Sequence, residues 1–347
     1  MRKVLAKINL RAIEDNAKAF KRLTATGLCA VVKADAYGHG AEAVTSALSG
    51  VADFFAVALV EEAAAIKVAA AGKPILILTP PTDRDSILYA AKNGFTLSLS
   101  DPSSARMAVE VCKTFGVTLD VHLQINTGMN RYGANAQTLG KIAKLLLGTP
   151  VRVTGAYSHL YTQSESVCKS QRTKFLGAKK VLSAYYPEGV TYHLSATYGA
   201  TLGRAYAFDA VRVGLGLYGY LPQGENGEVY LKKAMTVYAR TVQNRKYTDG
   251  GAGYGVLDGH ARSMLKKDRR TSVLRLGYAD GFSRSDRGEK GLSPLCMDCS
   301  VRLGSEKKGK LLPVLTDAEE TAKRRNTIPY EVLCAATKRA EIVYEYE

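Results

Sequence analysis

Side chains that can act as nucleophiles, bases or anion ligands follow several short apolar runs in the first 220 residues. Lys33 comes directly after Val31 and Val32. If that run is a buried strand, the ammonium of Lys33 loses hydration, which lowers its pKa and makes the amine a nucleophile. A lysine that extends from the strand end into water is the alternative interpretation at this point. Polar groups also stand at the ends of later runs: Gln124 to Arg131, Tyr157-Ser158-His159, Ser195-Ala196-Thr197, and Arg212 with Gly214.

The runs that precede these residues alternate with helical patterns, which predicts a barrel. Stretches rich in Ala, Leu and Lys, such as residues 60–71, 103–115 and 136–147, separate eight short β-rich runs. Eight β–α alternations favour an α/β fold with a closed (β/α)8 TIM-type barrel over a doubly wound open sheet. Reactive groups in such a barrel lie at the carboxyl ends of the strands, where these candidates fall. The runs contain residues 31–32, 54–57, 75–78, 96–99, 119–123, 153–157, 191–194 and 210–213.

A turn-rich stretch, Pro-Gln-Gly-Glu-Asn-Gly at residues 222–227, divides the pattern in two. Short β-like runs with few helical patterns follow it. We therefore predict a barrel over residues 1–225 and a β-rich C-terminal domain over residues 226–347. Residues 4–10 are also strand-like, so residues 1–10 are candidates to pair with the second domain instead of the barrel. The later β-like runs are residues 234–242, 271–276, 310–314 and 340–344.

The composition is that of a globular protein with a basic surface. The 347 residues suffice for a barrel and a second domain, and the net charge is +16. That charge would suit a nucleic-acid binder. However, the basic residues are scattered, and their densest runs, residues 266–270 and 307–310, have the pattern of polar loops, so we expect no nucleic-acid partner. No apolar run has the ~18 residues of a membrane span, and we expect a cytoplasmic protein.

The six cysteines include one C-x-x-C pair, Cys296 and Cys299. No second pair follows, so a four-cysteine zinc site is unsupported and no metal is predicted. Free thiols in a reducing compartment are the expected state, with a redox-active dithiol as the alternative.

Eight motifs, in order along nearly the whole chain, resemble those of the alanine racemases. The longest, VKADAYGHG at residues 32–40, is similar to the family's signature around its cofactor-binding lysine. One motif alone would be weak, but eight in the same order are specific. The resemblance implies a pyridoxal 5′-phosphate-dependent racemase that interconverts L-alanine and D-alanine, supplies D-alanine for peptidoglycan, and is a homodimer with shared active sites. The other motifs are NTGMNR at residues 126–131, YSH at 157–159, RVG at 212–214, GYG at 253–255, GYADG at 277–281, CMD at 296–298 and PYE at 329–331.

The resemblance also implies roles for individual residues. Lys33 binds the cofactor covalently and is one of two acid–base groups. Tyr254 is the second base, supplied by the partner subunit on the opposite face of the substrate. His159 links Tyr254 towards Arg212, which faces the pyridine nitrogen. Tyr37, Thr197, Tyr330 and the backbone near Gly214 are implied to bind the phosphate. Arg131 is implied to bind the phenolic oxygen and the substrate carboxylate, and the Met297 backbone to help to bind that carboxylate. Tyr278 is implied to lie at the substrate entrance.

These roles agree with the chemistry of racemisation. Two bases on opposite faces can remove a proton from Cα and return one on the other side without large motion. Arg212 cannot accept a proton, so the pyridine nitrogen is expected to stay unprotonated, which disfavours transamination. A tyrosine in water has a pKa near about 10, so a tyrosine base needs cationic groups nearby. Taken singly, His159 could be a core histidine and Tyr254 a loop residue.

The sequence departs from the family at several positions. Gln124 occupies the position where the family often has a carbamylated lysine, and Asn126 replaces the family's usual aspartate. At the substrate entrance, Pro294 replaces an arginine and Ser164 an aspartate. Vancomycin-resistance-type serine racemases share most of the motifs, so a serine or broad-specificity racemase is the nearest alternative. A decarboxylase with an acid at the pyridine nitrogen, and a non-catalytic cofactor-binding barrel, fit less well.

Overall fold

The computed structural model describes residues 4–222, 229–286 and 290–347. The chain divides into two compact units. The predicted boundary between residues 225 and 226 lies outside the described residues, whereas the chain passes from one unit to the other between Lys232 and Lys233. The barrel unit consists of Ile13–Ala36 and Ala41–Lys232, and the C-terminal unit of Met1–Ala12, Tyr37–Gly40 and Lys233–Glu347.

The barrel unit contains eight described strands in one parallel sheet, which confirms the predicted fold class. Half of these eight strands are buried along their whole length, as in parallel sheets covered on both faces. The two edges of the sheet meet at a bridge between Ala196 and Arg212, where the Arg212 amide donates to the Ser195 carbonyl at 2.9 Å. The barrel is therefore nearly closed rather than an open doubly wound sheet. After β1 (Val4–Asn9), which lies in the C-terminal unit, the barrel strands are β2 (Gly27–Val31), β3 (Phe54–Val57), β4 (Ile75–Ile77), β5 (Thr96–Leu99), β6 (Leu119–Gln124), β7 (Val151–Tyr157), β8 (Thr191–His193) and β9 (Ala210–Val213), paired in the order β8-β7-β6-β5-β4-β3-β2-β9.

Helices connect the barrel strands, and their ends have local causes. Asp101 accepts hydrogen bonds from the amides of Ser103 and Ser104 at 2.8 and 2.9 Å, and Gly116 ends the same helix with φ 63°. None of the described helices is both long and apolar enough to cross a membrane. The helices are α1 (Leu10–Thr24), α2 (Lys33–Gly38), α3 (Ala41–Leu48), α4 (Val60–Ile66), α5 (Arg84–Asn93), α6 (Pro102–Phe115), α7 (Ala136–Leu146), α8 (Glu165–Ser183), α9 (Thr197–Ala200) and α10 (Arg204–Ala207).

The C-terminal unit is built on a sheet in which β1 is an inner strand. β1 pairs antiparallel with β10 (Met235–Lys246) and parallel with the last strand of the chain. Ala6 and Ile8, on one face of β1, are completely buried, whereas the alternating residues of the strand are half-buried. The amino-terminal strand is thus part of the C-terminal unit. The other strands are β11 (Arg270–Leu274), β12 (Ser300–Leu303), β13 (Leu311–Leu315) and β14 (Ala340–Glu345).

Helices also occur in the C-terminal unit, where the sequence indicated few. They are α11 (Gly259–Lys267), α12 (Ala318–Arg325) and α13 (Pro329–Ala336). The interpretation of residues 266–270 as a loop was wrong, since α11 ends at Lys267 and β11 begins at Arg270. These helices are short, and the side chains that α12 buries are only Ala318, Thr321 and Ala322. So small a buried face produces no clear apolar periodicity.

Candidate active site

Lys33 lies just beyond the end of β2, at the start of a left-handed turn. The amide of Val32 still donates to the carbonyl of Ala56 at 2.9 Å, and Lys33 is half-buried. The next four residues, 34–37, all have φ between 51° and 55°, so α2 winds in the left-handed sense. Left-handed backbone costs an L-residue roughly 1–2 kcal/mol. This turn therefore depends on contacts that hold it in place.

The side chain of Glu62 provides such contacts. Its Oε1 accepts a hydrogen bond from the Ala34 amide at 2.7 Å. Its Oε2 accepts from the amides of Ala58 and Leu59 at 2.7 and 3.1 Å. Glu62 thereby joins the turn after Lys33 to the beginning of α4. Motif comparison did not identify Glu62, although a glutamate in the third position of a helix is a known N-capping signal.

Arg212, near the end of β9, is a buried guanidinium with neutral partners. Its Nη1 donates to the carbonyl and to Nδ1 of His193, both at 2.9 Å. Its Nη2 donates to the Ser158 carbonyl at 2.6 Å and to Nδ1 of His159 at 3.3 Å. Among the residues that the structure describes, no carboxylate pairs with Arg212. Because a buried cation without an anion is costly, this arrangement fits a site that an anionic ligand completes.

A pair of histidines continues the hydrogen bonds from Arg212 into the barrel. A guanidinium only donates, so Nδ1 of His193 accepts and its Nε2 carries the hydrogen. That Nε2 donates to Nδ1 of His122 at 2.9 Å. Burial, then the charge of Arg212, lowers the pKa of His122 to about 3 and lowers that of His193 well below its usual value. Both rings are therefore neutral near pH 7, and sequence analysis had singled out neither of them.

His159 is held neutral beside cationic groups of the barrel unit. Burial and then the charges of Arg212, Arg131 and Lys33 lower its pKa to about 3. Since its Nδ1 accepts from Arg212, its Nε2 carries the hydrogen and is a donor. The backbone of His159 is also fixed, because its carbonyl accepts from Gln171 at 2.9 Å. The ring can thus donate a hydrogen bond from Nε2 to an acceptor in the site.

Thr197 and the amides that follow β9 form a buried polar cluster. The Thr197 hydroxyl accepts from the amides of Gly214 and Gly216 at 3.4 and 3.2 Å. A hydroxyl that accepts twice still has one hydrogen to donate. Thr197 is buried, as is Ser195, whose hydroxyl donates to the Tyr206 carbonyl at 2.7 Å. The Thr197 hydroxyl can therefore donate to an anion.

Gln124 and Arg131 lie at either end of the segment that follows β6. Gln124 is buried, and within the described ranges its Oε1 has no hydrogen-bond partner. Arg131 is exposed, with its guanidinium 5.8 Å from the centre of the Tyr132 ring. Asn126 shapes the turn between them, because its Oδ1 accepts from the Gly128 amide at 2.9 Å. The described contacts include no hydrogen bond between Gln124 and Arg131.

Tyr37 and Tyr330 contact each other within the C-terminal unit. Their ring centres are 5.7 Å apart. Burial raises the pKa of both hydroxyls, so they stay protonated and can donate. Tyr330 is positioned by α13, which begins at Pro329, the residue type best suited to a first helical position. Gly38 is required beside them, since a Cβ there would lie 2.7 Å from the Leu333 carbonyl oxygen.

The remaining candidates lie on exposed parts of the C-terminal unit. Tyr254 is 62% exposed and Met297 is 54% exposed. Tyr278 is also exposed, and its amide donates to the Cys296 carbonyl at 3.1 Å, next to Met297. Tyr278 and Met297 are thus neighbours, whereas Tyr254 lies on a separate loop.

Comparison with known proteins gives concordant matches over both units. Residues 8–222 match the family described as alanine racemase, N-terminal domain, and residues 234–344 match alanine racemase, C-terminal domain. The alanine racemase of Desulforamulus reducens is 32% identical, over 98% of each chain. The solved alanine racemase of Clostridium difficile, in complex with cycloserine, has a TM-score of 0.87 at 25% identity and covers 99% of this chain and 96% of its own. An alanine racemase from Bartonella henselae with covalently bound pyridoxal phosphate has the same fold, with a TM-score of 0.84 at 24% identity over 99% of this chain and all of its own.

Proposed function

The chain belongs to the alanine racemase family and is a racemase, and we propose that it interconverts L-alanine and D-alanine with pyridoxal 5′-phosphate bound at Lys33. The observation that carries this proposal is Arg212, a buried guanidinium whose described partners are all neutral. We place the reaction in the cytoplasm, with D-alanine for peptidoglycan as its expected use.

The donor set fits pyridoxal phosphate. The cofactor is an anion with an aldehyde. The barrel unit contains an amine at a strand end, Lys33, and a buried cation, Arg212, whose described partners include no carboxylate. Thr197 has a hydroxyl hydrogen to donate to the phosphate, and the backbone near Gly214 lies beside it. In the C-terminal unit, Tyr37 and Tyr330 are phenols kept protonated by burial. We propose that these groups hold the phosphate, and that Arg131 binds the phenolic oxygen.

The bound cofactor would withdraw electrons from the substrate's Cα–H bond. Arg212 would donate a hydrogen bond to the pyridine nitrogen and keep its own proton, since a guanidinium does not deprotonate near neutral pH. The neutral His193 and His122 orient Arg212 without adding a charge. This favours racemisation over decarboxylation of the kind that uses an acid at the pyridine nitrogen.

The two bases we propose are the Nζ of Lys33 and the phenol oxygen of Tyr254. One removes the Cα proton and the other returns one to the opposite face. His159 supports the second base, since its Nε2–H can donate to a phenolate and so stabilise the deprotonated form. The Met297 backbone and Arg131 would bind the substrate carboxylate, with Tyr278 at the entrance.

The role of Lys33 is tested by borohydride reduction of the holoenzyme. Reduction traps a cofactor bound to an amine as a stable adduct, which peptide mass spectrometry locates. We expect the adduct at Lys33 and its loss, with racemisation, in Lys33→Ala. Lys67→Ala is a matched control at an exposed lysine directly after α4. An adduct on another lysine would overturn the assignment.

Tyr254 is exposed in the single chain, which supports a homodimer in which it completes the partner's site. The test is to mix two inactive variants, Lys33→Ala and Tyr254→Phe, under subunit exchange. One site of each mixed dimer would then be intact, so activity should return. Exchange without recovery would refute shared sites.

Alanine as the substrate is tested by chiral analysis of alanine and serine after incubation with the holoenzyme. We expect faster racemisation of alanine. Faster racemisation of serine would favour the serine alternative, and amine release with carbon dioxide would indicate a decarboxylase.

Gln124 implies a dependence on small anions. A lysine carbamate would pair with Arg131 through a charge-assisted contact, whereas Gln124 offers only neutral groups. We propose that chloride occupies the space beside Gln124 and Arg131, with the amide of Gln124 turned to donate to it. Activity should then rise with chloride more than with a larger anion at matched ionic strength, and should not respond to bicarbonate. Equal rates in both salts would remove this proposal.

A further inference from the structure

Cys296 and Cys299 face each other across a two-residue turn in the C-terminal unit. The amide of Cys296 donates to the Cys299 carbonyl at 3.0 Å. Beyond the effect of burial, the thiols are near enough for Cys296 to raise the pKa of Cys299, and both residues are half-buried. This single 3.0 Å contact limits the separation of the two Cα atoms to about 7 Å. A disulfide needs a Cα separation of about 4.4–6.8 Å, so the pair can be bridged without a large backbone movement.

The same turn carries the backbone that we assign to substrate binding. Met297 lies between the two cysteines, and its carbonyl accepts from the Ala279 amide at 3.0 Å. Gly277 packs directly against the turn, since a Cβ there would lie 2.2 Å from the Met297 carbonyl oxygen. A change in the turn is therefore transmitted to Met297 and to Tyr278, whose amide bonds the Cys296 carbonyl.

We propose that Cys296 and Cys299 form a reversible dithiol–disulfide site, and that oxidation of this site weakens substrate binding at Met297. The second part of this proposal rests on the proposed function, and the first part does not. Closing the bridge brings the two sulfur atoms to a covalent bond of about 2 Å. The intervening backbone must adjust, and tight packing against Gly277 leaves it little room to do so.

The oxidant is a low-molecular-weight disulfide such as glutathione disulfide. The thiolate of one cysteine attacks a sulfur of the oxidant, forms a mixed disulfide and releases one glutathione thiolate. The second cysteine, as thiolate, then attacks the protein sulfur of that mixed disulfide and releases the other glutathione. Two protein thiols are oxidised by two electrons, the oxidant is reduced to two thiols, and the two thiol protons end on the released glutathione. Burial and the nearby Cys296 raise the pKa of Cys299, which makes Cys299 the better candidate for the second, intramolecular attack.

Trypsin provides a direct readout, because Lys290 and Arg302 bracket both cysteines on one peptide, residues 291–302. The full-length holoenzyme is equilibrated in glutathione buffers of increasing oxidised fraction, alkylated with iodoacetamide and digested. We expect this peptide to lose two hydrogens and to take up no alkyl group as the buffer becomes oxidising, and dithiothreitol to reverse the change. A peptide that stays doubly alkylated, or that carries only bound glutathione, would overturn the dithiol site.

Racemisation of alanine is measured on the same samples. We expect KM to rise several-fold in step with the disulfide, and kcat to change less, because the altered contact is to the substrate carboxylate. Cys299→Ser should keep its KM under oxidising conditions, whereas Cys334→Ser, a matched control at an exposed thiol outside the turn, should respond as the parent does. A disulfide that forms with KM unchanged would overturn the regulatory part. Absence of racemisation in the reduced holoenzyme would instead overturn the proposed function. The dithiol site would then still be tested by the mass of the tryptic peptide, which does not depend on racemisation.

Discussion

Replacement of Glu62 by alanine should loosen the left-handed turn that follows Lys33. The carboxylate accepts three backbone hydrogen bonds, at 2.7, 2.7 and 3.1 Å. Hydrogen bonds to a charged group contribute about 1.5–3 kcal/mol each when buried. Glu62 is only half-buried, and two of the three contacts are exposed to water, so we reduce this to about 1 kcal/mol per bond. Glu62→Ala should then lower the free energy of unfolding by about 2–3 kcal/mol.

We expect Glu62→Ala to disturb the turn after Lys33 more than it lowers the stability of the whole protein, because the turn is itself strained. Its four left-handed residues carry a conformational cost of roughly 4–8 kcal/mol, so loss of the Ala34 contact should let this segment relax. Lys33 would then be less well positioned, and cofactor affinity should fall more than for a surface substitution of equal effect on stability.

Urea unfolding of the cofactor-free protein measures the free energy of unfolding. Titration with pyridoxal phosphate, followed by absorbance, measures the cofactor affinity. Glu61→Ala is the matched control, since Glu61 is the exposed neighbour in the same helical turn. We expect the free energy of unfolding of Glu61→Ala to stay within about 0.5 kcal/mol of that of the parent, as is usual for surface substitutions. If Glu62→Ala behaves like Glu61→Ala in both measurements, the carboxylate does not hold the turn and our reasoning is wrong.

Two further predictions concern the buried histidines. Gly155→Ala places a Cβ 2.5 Å from the ring of His122 and should destabilise the protein by about 1–3 kcal/mol. Gly177→Ala, in open space on α8, is the control and should be neutral or stabilising by up to about 1 kcal/mol. Equal effects of the two substitutions on the free energy of unfolding in urea would show that Gly155 is not packed against His122. The neutral His122, His159 and His193 have pKa values lowered by burial, so the unfolded chain binds protons below about pH 6.5 that the folded chain does not. The stabilisation that depends on these neutral rings is therefore fully present above about pH 6.5. The free energy of unfolding should fall from about pH 6.5 towards pH 4.5, with a slope approaching about 4 kcal/mol per pH unit for three protons. A flat profile in this window would mean that the rings are protonated in the fold.

The sequence by itself determined the barrel and most of the candidates at its strand ends. β3, β5 and β9 have the predicted bounds, because a parallel strand buried on both faces is a short, continuous apolar run that needs no knowledge of its neighbours. The positions of Lys33, His159 and Arg212 at or just beyond the ends of such runs follow from the same rule, since the carboxyl ends of barrel strands share one face. The roles that we propose for them came from the resemblance of the motifs and their order, which is also a property of the chain alone.

Only the tertiary structure decided how these groups are charged and held. The neutrality of His159 depends first on burial and then on Arg212, 53 residues later in the chain. The support of the turn after Lys33 depends on Glu62, 28 residues beyond Ala34. The short helices of the C-terminal unit were likewise missed, since a helix that buries a few small side chains lacks a visible apolar stripe. Protonation, tautomer and backbone strain depend on burial and on partners brought close by folding, and neither is written in local sequence order.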